Sequence, residues 1–409
     1  MTKPLKYKSA FKIFGNDVLG AKMFVALVLP EVPSYSETFF TNKIRGLVES
    51  NHKVIVFTNG TNGPKIECDV INGFSWRAGL ANRVSAIAAV FFRLVSSPLR
   101  AFRLYRLNKS DGFSTRKNLS SLLSSAHILK FDPDWLHFGF AAVAIGRENL
   151  ASVIGAKMAA SIRGYDIAVY PLKNPGCYKL LWARLNKLHY ISNDLYSLAL
   201  QNGFDPETPH RKITPAVEMS KYERSRPGAF HNPLRIMTVA RLHWKKGVEY
   251  ALEGLKLLND AGIDFRYTVV GDGVELERLV IASHQLGIAD RVSFVGIKTP
   301  AETSRLLSES DVYLQYSIQE GFCNAVLEAQ AAGLLCIVSD AEGLSENAIH
   351  GETGWVVPKR NPGLLADRLI KVISLPEPER ARVSRSAVAR VRSHFNLEKQ
   401  KLEFLRFYQ

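Results

Sequence analysis

EGFCNAVLEAQAAG, residues 320–333, is the stretch whose reading decides the fold. Gly321 permits a tight turn. From about Asn324 onward, Ala325, Val326, Leu327, Glu328 and the alanines that follow form helix readily. Upstream, DVYLQYS (311–317) is a short β-rich run, and downstream LLCIVSD (334–340) is another. Strand, loop, helix and strand make a βαβ unit, whose ligands gather at the carboxyl ends of the strands. Glu320 lies at such an end, and Glu328 about one turn inside the helix. A helix start offers free N–H groups and partial positive charge, which suits a diphosphate. Two carboxylates at different depths can then accept hydroxyls from two ends of one anionic ligand. An amphipathic core helix with two solvated glutamates fits the spacing equally well.

Working outward, the same alternation recurs. LRIMTVARL (234–242), RYTVVGD (266–272) and RVSFVGI (291–297) read as strands, with helices near Val248–Ala261 and Val274–Leu286. Nearer the start, KMFVALVLP (22–30) and KVIVFT (53–58) read as buried strands around a helix from Thr38 to Ser50. Further strands fall near Trp135–Phe138, Ala159–Ile162 and Leu188–Ile191. Pro227, Gly228 and Pro233 punctuate a breaker-rich linker. The expected fold is therefore α/β, with two doubly wound Rossmann-like domains facing across a cleft. Residues 1–226 form the first, with 1–21 as an extension. Residues 227–409 form the second, its last helices packing back on the first.

Cations stand at matching places. Arg241 follows a strand and Lys246 precedes a helix in VARLHWKKGVEYALEGL (239–255). Two cations at a strand's carboxyl end can neutralise a departing diphosphate, although such residues are more often ordinary surface charges. VVGDGVE (269–275) carries Gly271 and Gly273 in a strand-to-helix loop, but position 276 is leucine, so the dinucleotide fingerprint is missing. Gly271 serves better as a bare backbone wall beside a ligand. In YSETFF (35–40) Ser36 can cap the following helix or face the cleft. His137 and Gly139 end another strand, and Arg163, Gly164 and Asp166 a third.

Composition narrows the partners. The chain has 409 residues and a net charge of +15. Residues 1–226 hold 31 Lys and Arg against 16 Asp and Glu, whereas the remainder holds 22 of each, so the whole excess lies in the first half. Such a half suits an anionic membrane surface or an acidic substrate. No helix-turn-helix or RNP signature points to nucleic acid. Four scattered cysteines form no C-x-x-C pair and argue for a reducing compartment. No signal peptide and no apolar run long enough to span a bilayer is expected. Residues 80–109 form a basic amphipathic segment. Its first helix has an apolar face including Val84, Ala88, Phe91 and Val95. Ser97 and Pro98 start a second, which bears Arg100, Arg103, Arg106 and Lys109, with Phe102 and Tyr105 on its other side. Two ordinary domain helices with solvated arginines fit as well.

VARLHWKKG, VVGDG, the FVG of 294–296, EGFCNAVLEAQAAG and SDAEGLSENAIHGETGWVVP (339–358) together resemble the GT-B glycosyltransferases of family 4, the group 1 glycosyl transferases. YSETF, LHFG and RGYDI look like the subgroup that builds exopolysaccharide of the colanic-acid type. The resemblance implies a retaining glycosyltransferase of hexosyltransferase type. It would move sugar from a UDP- or GDP-sugar to a saccharide hydroxyl without a required metal. Carried over, Arg241 and Lys246 would hold the diphosphate, Glu320 the donor sugar and Glu328 the ribose. Amides around Gly321, Phe322, Cys323 and Asn324 would meet sugar and phosphate, and the segment after Val295–Gly296 the nucleobase. Arg163 stands where the family often has histidine; it cannot act as a base but can bond the sugar or a phosphate oxygen. Glu218 replaces a usual aspartate and Leu335 a common proline. A lipid-linked acceptor at the inner face of the cell membrane suits the basic first half, with the protein cytoplasmic and peripheral. A GT-B nucleotide-sugar 2-epimerase, or a non-catalytic GT-B scaffold, would share the fold.

Overall fold

The computed structural model describes residues 21–33, 38–59, 63–74, 90–222 and 230–409. Ser36, Val84, Ala88, Pro227 and Gly228 lie outside these residues. Thirteen strands form two sheets among the described residues. The first contains β1 (Phe24–Leu29), β2 (Lys53–Thr58), β3 (Asp69–Asn72), β4 (Trp135–Phe138), β5 (Lys157–Ile162), β6 (Lys187–Tyr190) and β7 (His210–Lys212). Its order is β3-β2-β1-β4-β5-β6-β7. The second contains β8 (Leu234–Val239), β9 (Phe265–Val270), β10 (Val292–Phe294), β11 (Val312–Gln315), β12 (Leu335–Ser339) and β13 (Trp355–Val357). Its order is β10-β9-β8-β11-β12-β13, with every neighbouring pair parallel.

In the second sheet the chain first winds outward from β8 to β10. It then crosses back to β11 and winds the other way. The reversal leaves a crevice at the carboxyl ends of β8 and β11, where doubly wound sheets bind ligands. Strand residues alternate between the two faces, as the pleat requires. Ile236, Leu314 and Ile337 join one buried cluster with Leu252 and Leu255 of helix Val248–Asp260. Met237, Tyr313 and Cys336 join another with Val326 and Ala329 of helix Asn324–Ala331. Both faces are covered, which is why these strands read as nearly continuous apolar runs.

The chain packs as two compact units. One comprises Met1–Phe138, Gly146–Ala159 and Lys401–Gln409; the other comprises Gly139–Ile145 and Ala160–Gln400. Within the first, the chain's end is part of the core. The Trp135 indole N–H donates to the Tyr408 carbonyl at 2.7 Å, and the Tyr408 hydroxyl meets His137 Nδ1 at 2.7 Å. His137 is fully buried and also meets Lys43 Nζ at 3.1 Å. Its role is thus in the core network. No helix among the described residues is long and apolar enough to cross a membrane.

Candidate active site

Two loops of the second sheet build the site. After β8 the chain turns through a single 3-10 turn, Trp244–Lys246, into helix Val248–Asp260. Gly247 joins them at φ 61°, and a Cβ there would lie 2.1 Å from the Tyr316 carbonyl oxygen. Only glycine lets this loop close against the end of β11. The contact is fastened by the Lys245 carbonyl, which accepts from Ile318 N–H at 2.7 Å and Gln319 N–H at 3.2 Å. These bonds set Lys246 beside Glu320, the first residue of the next helix's lead-in. Lys246 Nζ donates to Glu320 Oε2, with the two side chains 15% and 14% exposed. Burial works against the ammonium, yet the Glu320 carboxylate outweighs it, and the Lys246 pKa is raised.

Positive charge exceeds negative around this pair. Arg241 is exposed and meets no carboxylate among the described residues. The Lys245 pKa is lowered, first by burial and then by Lys246 and Arg241. Burial is the larger cause, and the two neighbouring cations add to it.

Helix Asn324–Ala331 begins beside the pair, with Cys323 at its N-cap. The amide of Cys323 donates to Asn347 Oδ1 at 3.0 Å, and Asn347 Nδ2 returns a bond to the Cys323 carbonyl at 3.0 Å. That amide is therefore taken, which corrects its expected availability to a ligand. The N–H groups of Gly321 and Phe322 meet no acceptor among the described residues. The Cys323 thiol is pushed up to about 12 by burial and by Glu320, so it stays protonated and is no nucleophile. One turn deeper, Glu328 accepts from the Tyr222 hydroxyl, and burial raises its pKa.

Glu342 completes the support. Its carboxylate accepts from the Glu320 N–H at 2.9 Å and pairs with Lys359 at 3.0 Å. It does so from a left-handed backbone, at φ 29°. Sequence reasoning passed over Lys245, Glu342, Asn347 and Tyr222. Lys245 lies inside VARLHWKKG and Glu342 and Asn347 inside SDAEGLSEN, but nothing in those stretches shows what each side chain meets.

The remaining expected residues are placed as follows. The Arg163 carbonyl lies against Gly321, where a Cβ would come within 2.7 Å of it. The Arg163 guanidinium sits 5.9 Å from the Phe140 ring centroid. Asp166 holds this turn by accepting from the N–H groups of Arg163, Gly164 and Ala141. Gly271 and Gly296 face one another in an isolated antiparallel bridge. A Cβ on Gly271 would meet the Ala240 carbonyl oxygen at 1.9 Å, so close packing on the β8 loop requires that glycine.

A doubly wound parallel sheet with a cationic, carboxylate-bearing site at its switch point is shared by a broad class of nucleotide-using α/β enzymes. Solved structures narrow the fold. A glycosyltransferase of Rickettsia africae superposes with a TM-score of 0.69, at 18% identity over 95% of this chain and 98% of that one. Anabaena HepE in complex with UDP-glucose superposes with a TM-score of 0.70, at 14% identity over 94% and 98%. Residues 220–390 match the family described as glycosyl transferases group 1. WcaL of Escherichia coli K12, assigned as a candidate colanic acid biosynthesis glycosyltransferase, is 28% identical over 91% of this chain and 96% of its own. The amylovoran biosynthesis glycosyltransferase AmsK of Erwinia amylovora is 29% identical over 78% and 79%. Residues 220–390 are thus similar to the group 1 glycosyl transferases, and the two sheets have the GT-B fold of the solved glycosyltransferases.

Proposed function

We propose that the chain moves a sugar, with retention of configuration, from a UDP- or GDP-sugar to a hydroxyl of a lipid-linked saccharide in exopolysaccharide assembly. The observation that carries this reading is the Lys246–Glu320 pair, seated at the sheet's switch point beside Arg241, which meets no carboxylate among the described residues. The names of WcaL and AmsK, which refer to colanic acid and amylovoran biosynthesis, support the product class.

In this reading the ion pair holds two opposite charges ready until the donor separates them. The diphosphate takes Lys246 and Arg241, which offset its growing charge as the sugar–phosphate bond lengthens. Glu320, released from Lys246, accepts from the donor sugar's hydroxyls. Glu328 accepts from the ribose, and the segment near Gly296 meets the base, with Gly271 beside it. The amides of Gly321 and Phe322 and the start of the helix at Asn324 meet phosphate and sugar. Arg163 bonds the donor or a phosphate oxygen. Residues 227–409 take the donor and residues 1–226 the acceptor, with the protein cytoplasmic and peripheral at the inner face of the cell membrane.

The test is a panel of nucleotide sugars in excess chelator, followed by nucleotide release with and without membrane extract. Release of UDP or GDP that rises with extract, and a product keeping the donor's anomeric configuration by NMR, is expected. Epimerised free nucleotide sugar without acceptor would favour the 2-epimerase. Absence of nucleotide binding at millimolar concentration would overturn the site.

A further inference from the structure

We propose that residues 91–102 form a membrane-inserting ridge that seats the protein on an anionic bilayer. The inference rests on the lipid-linked acceptor reading above and assigns its contact to particular side chains. In helix Pro98–Ser110 the buried positions are Leu104 and Asn108. At 3.6 residues per turn, positions 99, 102 and 106 project from the opposite face. Leu99 is 83% exposed and Phe102 60%. The preceding helical turn, residues 90–95, continues the pattern, with Phe91 64%, Phe92 72% and Val95 57% exposed. Ser96 N–H donates to the Phe92 carbonyl and Ala101 N–H to the Ser97 carbonyl, each within its own helical segment, and Ser97 between them has an extended rather than helical φ of −142°. Phe91, Phe92 and Val95 on one segment and Leu99 and Phe102 on the next set five exposed large apolar side chains within twelve residues, a stripe along the chain. Single exposed apolar residues are ordinary, whereas a contiguous stripe of large ones marks an interaction surface.

The charges around the stripe select its partner. Residues 90–117 contain seven Lys and Arg and one acid, Asp111. That acid accepts from Asn149 Nδ2 at 2.7 Å. Arg93 and Arg100 are tied inward, donating to the carbonyls of Asn72 and Leu129 at 3.1 and 2.8 Å. Arg103, Arg106 and Lys109 stay exposed, with no carboxylate partner among the described residues. Arg106 lies 5.9 Å from the Phe102 ring centroid, so cation and apolar surface are interleaved. This corrects the expected segregation, in which Phe102 lay away from the arginines. Apolar side chains flanked by cations match acyl chains beneath anionic headgroups. A second copy would bring another +15 against the first. A nucleic acid would leave Leu99 and Val95 without a partner. The ridge lies in the interface and does not cross it.

The test is co-sedimentation with phosphatidylcholine vesicles, pure or containing roughly a third phosphatidylglycerol. The wild type, a triple variant Phe92→Ser, Leu99→Ser and Phe102→Ser, and a triple variant Arg103→Glu, Arg106→Glu and Lys109→Glu are compared. The wild type is expected to sediment with the anionic vesicles at low salt and to be released by high salt. Each triple variant is expected to lose about tenfold or more in partitioning, with unchanged melting temperature and unchanged nucleotide binding. A Leu99→Trp variant is expected to show a blue-shifted emission on vesicles. Equal binding by wild type and serine variant would overturn the ridge while leaving the lipid-linked acceptor reading in place. No wild-type binding to any vesicle would overturn both. Self-association or RNA binding that only the serine variant loses, with vesicle binding intact, would assign the stripe to a different partner and overturn the proposal.

Discussion

Lys246 and Glu320 form an ion pair across the carboxyl ends of β8 and β11, the two strands at which the second sheet reverses its winding. The two residues are far apart in sequence and meet because Gly247 lets one loop close on the other. Both side chains are mostly buried, so the partner left by a deletion keeps a charge in a poor solvent. Lys246→Ala and Glu320→Ala are each expected to lower nucleotide release by roughly a hundredfold to a thousandfold. Tm measured on the same samples separates lost chemistry from lost folding. Full turnover in both variants would remove these residues from the site.

Glu328 gives a pH-dependent prediction. Burial raises its native pKa above the ordinary carboxylate value. The folded chain therefore holds that proton more tightly than the unfolded chain. Stability falls as pH rises from the unfolded value through the raised native one. Glu328→Gln keeps an acceptor for Tyr222 and removes the buried charge. Its Tm is expected to exceed that of the wild type at pH 8, with the gap closing toward the unfolded carboxylate pKa of about 4.3. If Glu328 accepts from the ribose as proposed, the donor KM is expected to rise about tenfold, the loss of one charged hydrogen bond. A Tm gap that does not change with pH would contradict the assignment of the cost to ionised Glu328.

These sites differ in how legible they were. β8, β11 and β12 show in the sequence because both of their faces are buried, which leaves apolar runs bounded by turns. The start of helix Asn324–Ala331 shows because Gly321 precedes a run of helix formers. β3, β7 and β13 were not read as strands. β3 and β7 lie at the edges of the first sheet, where fewer positions need be apolar, and β13, at an edge of the second, is apolar but only three residues long. β7 is the wholly polar run His210–Lys212. The support of Glu320 by Glu342 was invisible for another reason. It depends on a backbone amide, and no side-chain pattern records where an amide points. Likewise Cys323 read as an open helix-start donor, because nothing near it in sequence announces Asn347.

Gly247 is expected to tolerate no side chain. At φ 61° an L residue costs roughly 1–2 kcal/mol. The added Cβ would also sit 2.1 Å from the Tyr316 carbonyl oxygen, which cannot move without disturbing the end of β11. Gly247→Ala is therefore expected to lower Tm by several degrees. It should also lower activity in whatever protein remains folded, since the same loop carries Lys246. A control, Gly262→Ala, shares the positive φ, at 79°, but has open space around its Cβ. It is expected to show the smaller loss, so the difference between the two variants reads the clash alone.

Glu342 acts through Glu320 and is a positioning residue. Its carboxylate fixes the Glu320 amide at 2.9 Å and is itself fixed by Lys359 at 3.0 Å. A non-glycine residue held at φ 29° carries backbone strain that its surroundings must offset. Glu342→Ala removes the acceptor from the Glu320 amide and lets the loop drift, without touching Lys246 or Arg241, the cations proposed to meet the diphosphate. The expected result is a fall in kcat of about tenfold, equivalent to ~1.4 kcal/mol, with the donor KM nearly unchanged. Glu342→Gln keeps an oxygen for the amide and loses only the charge toward Lys359. It is expected to recover most of the kcat. A residue serving stability alone would instead lower Tm in both variants and leave kcat per folded molecule unchanged at low temperature.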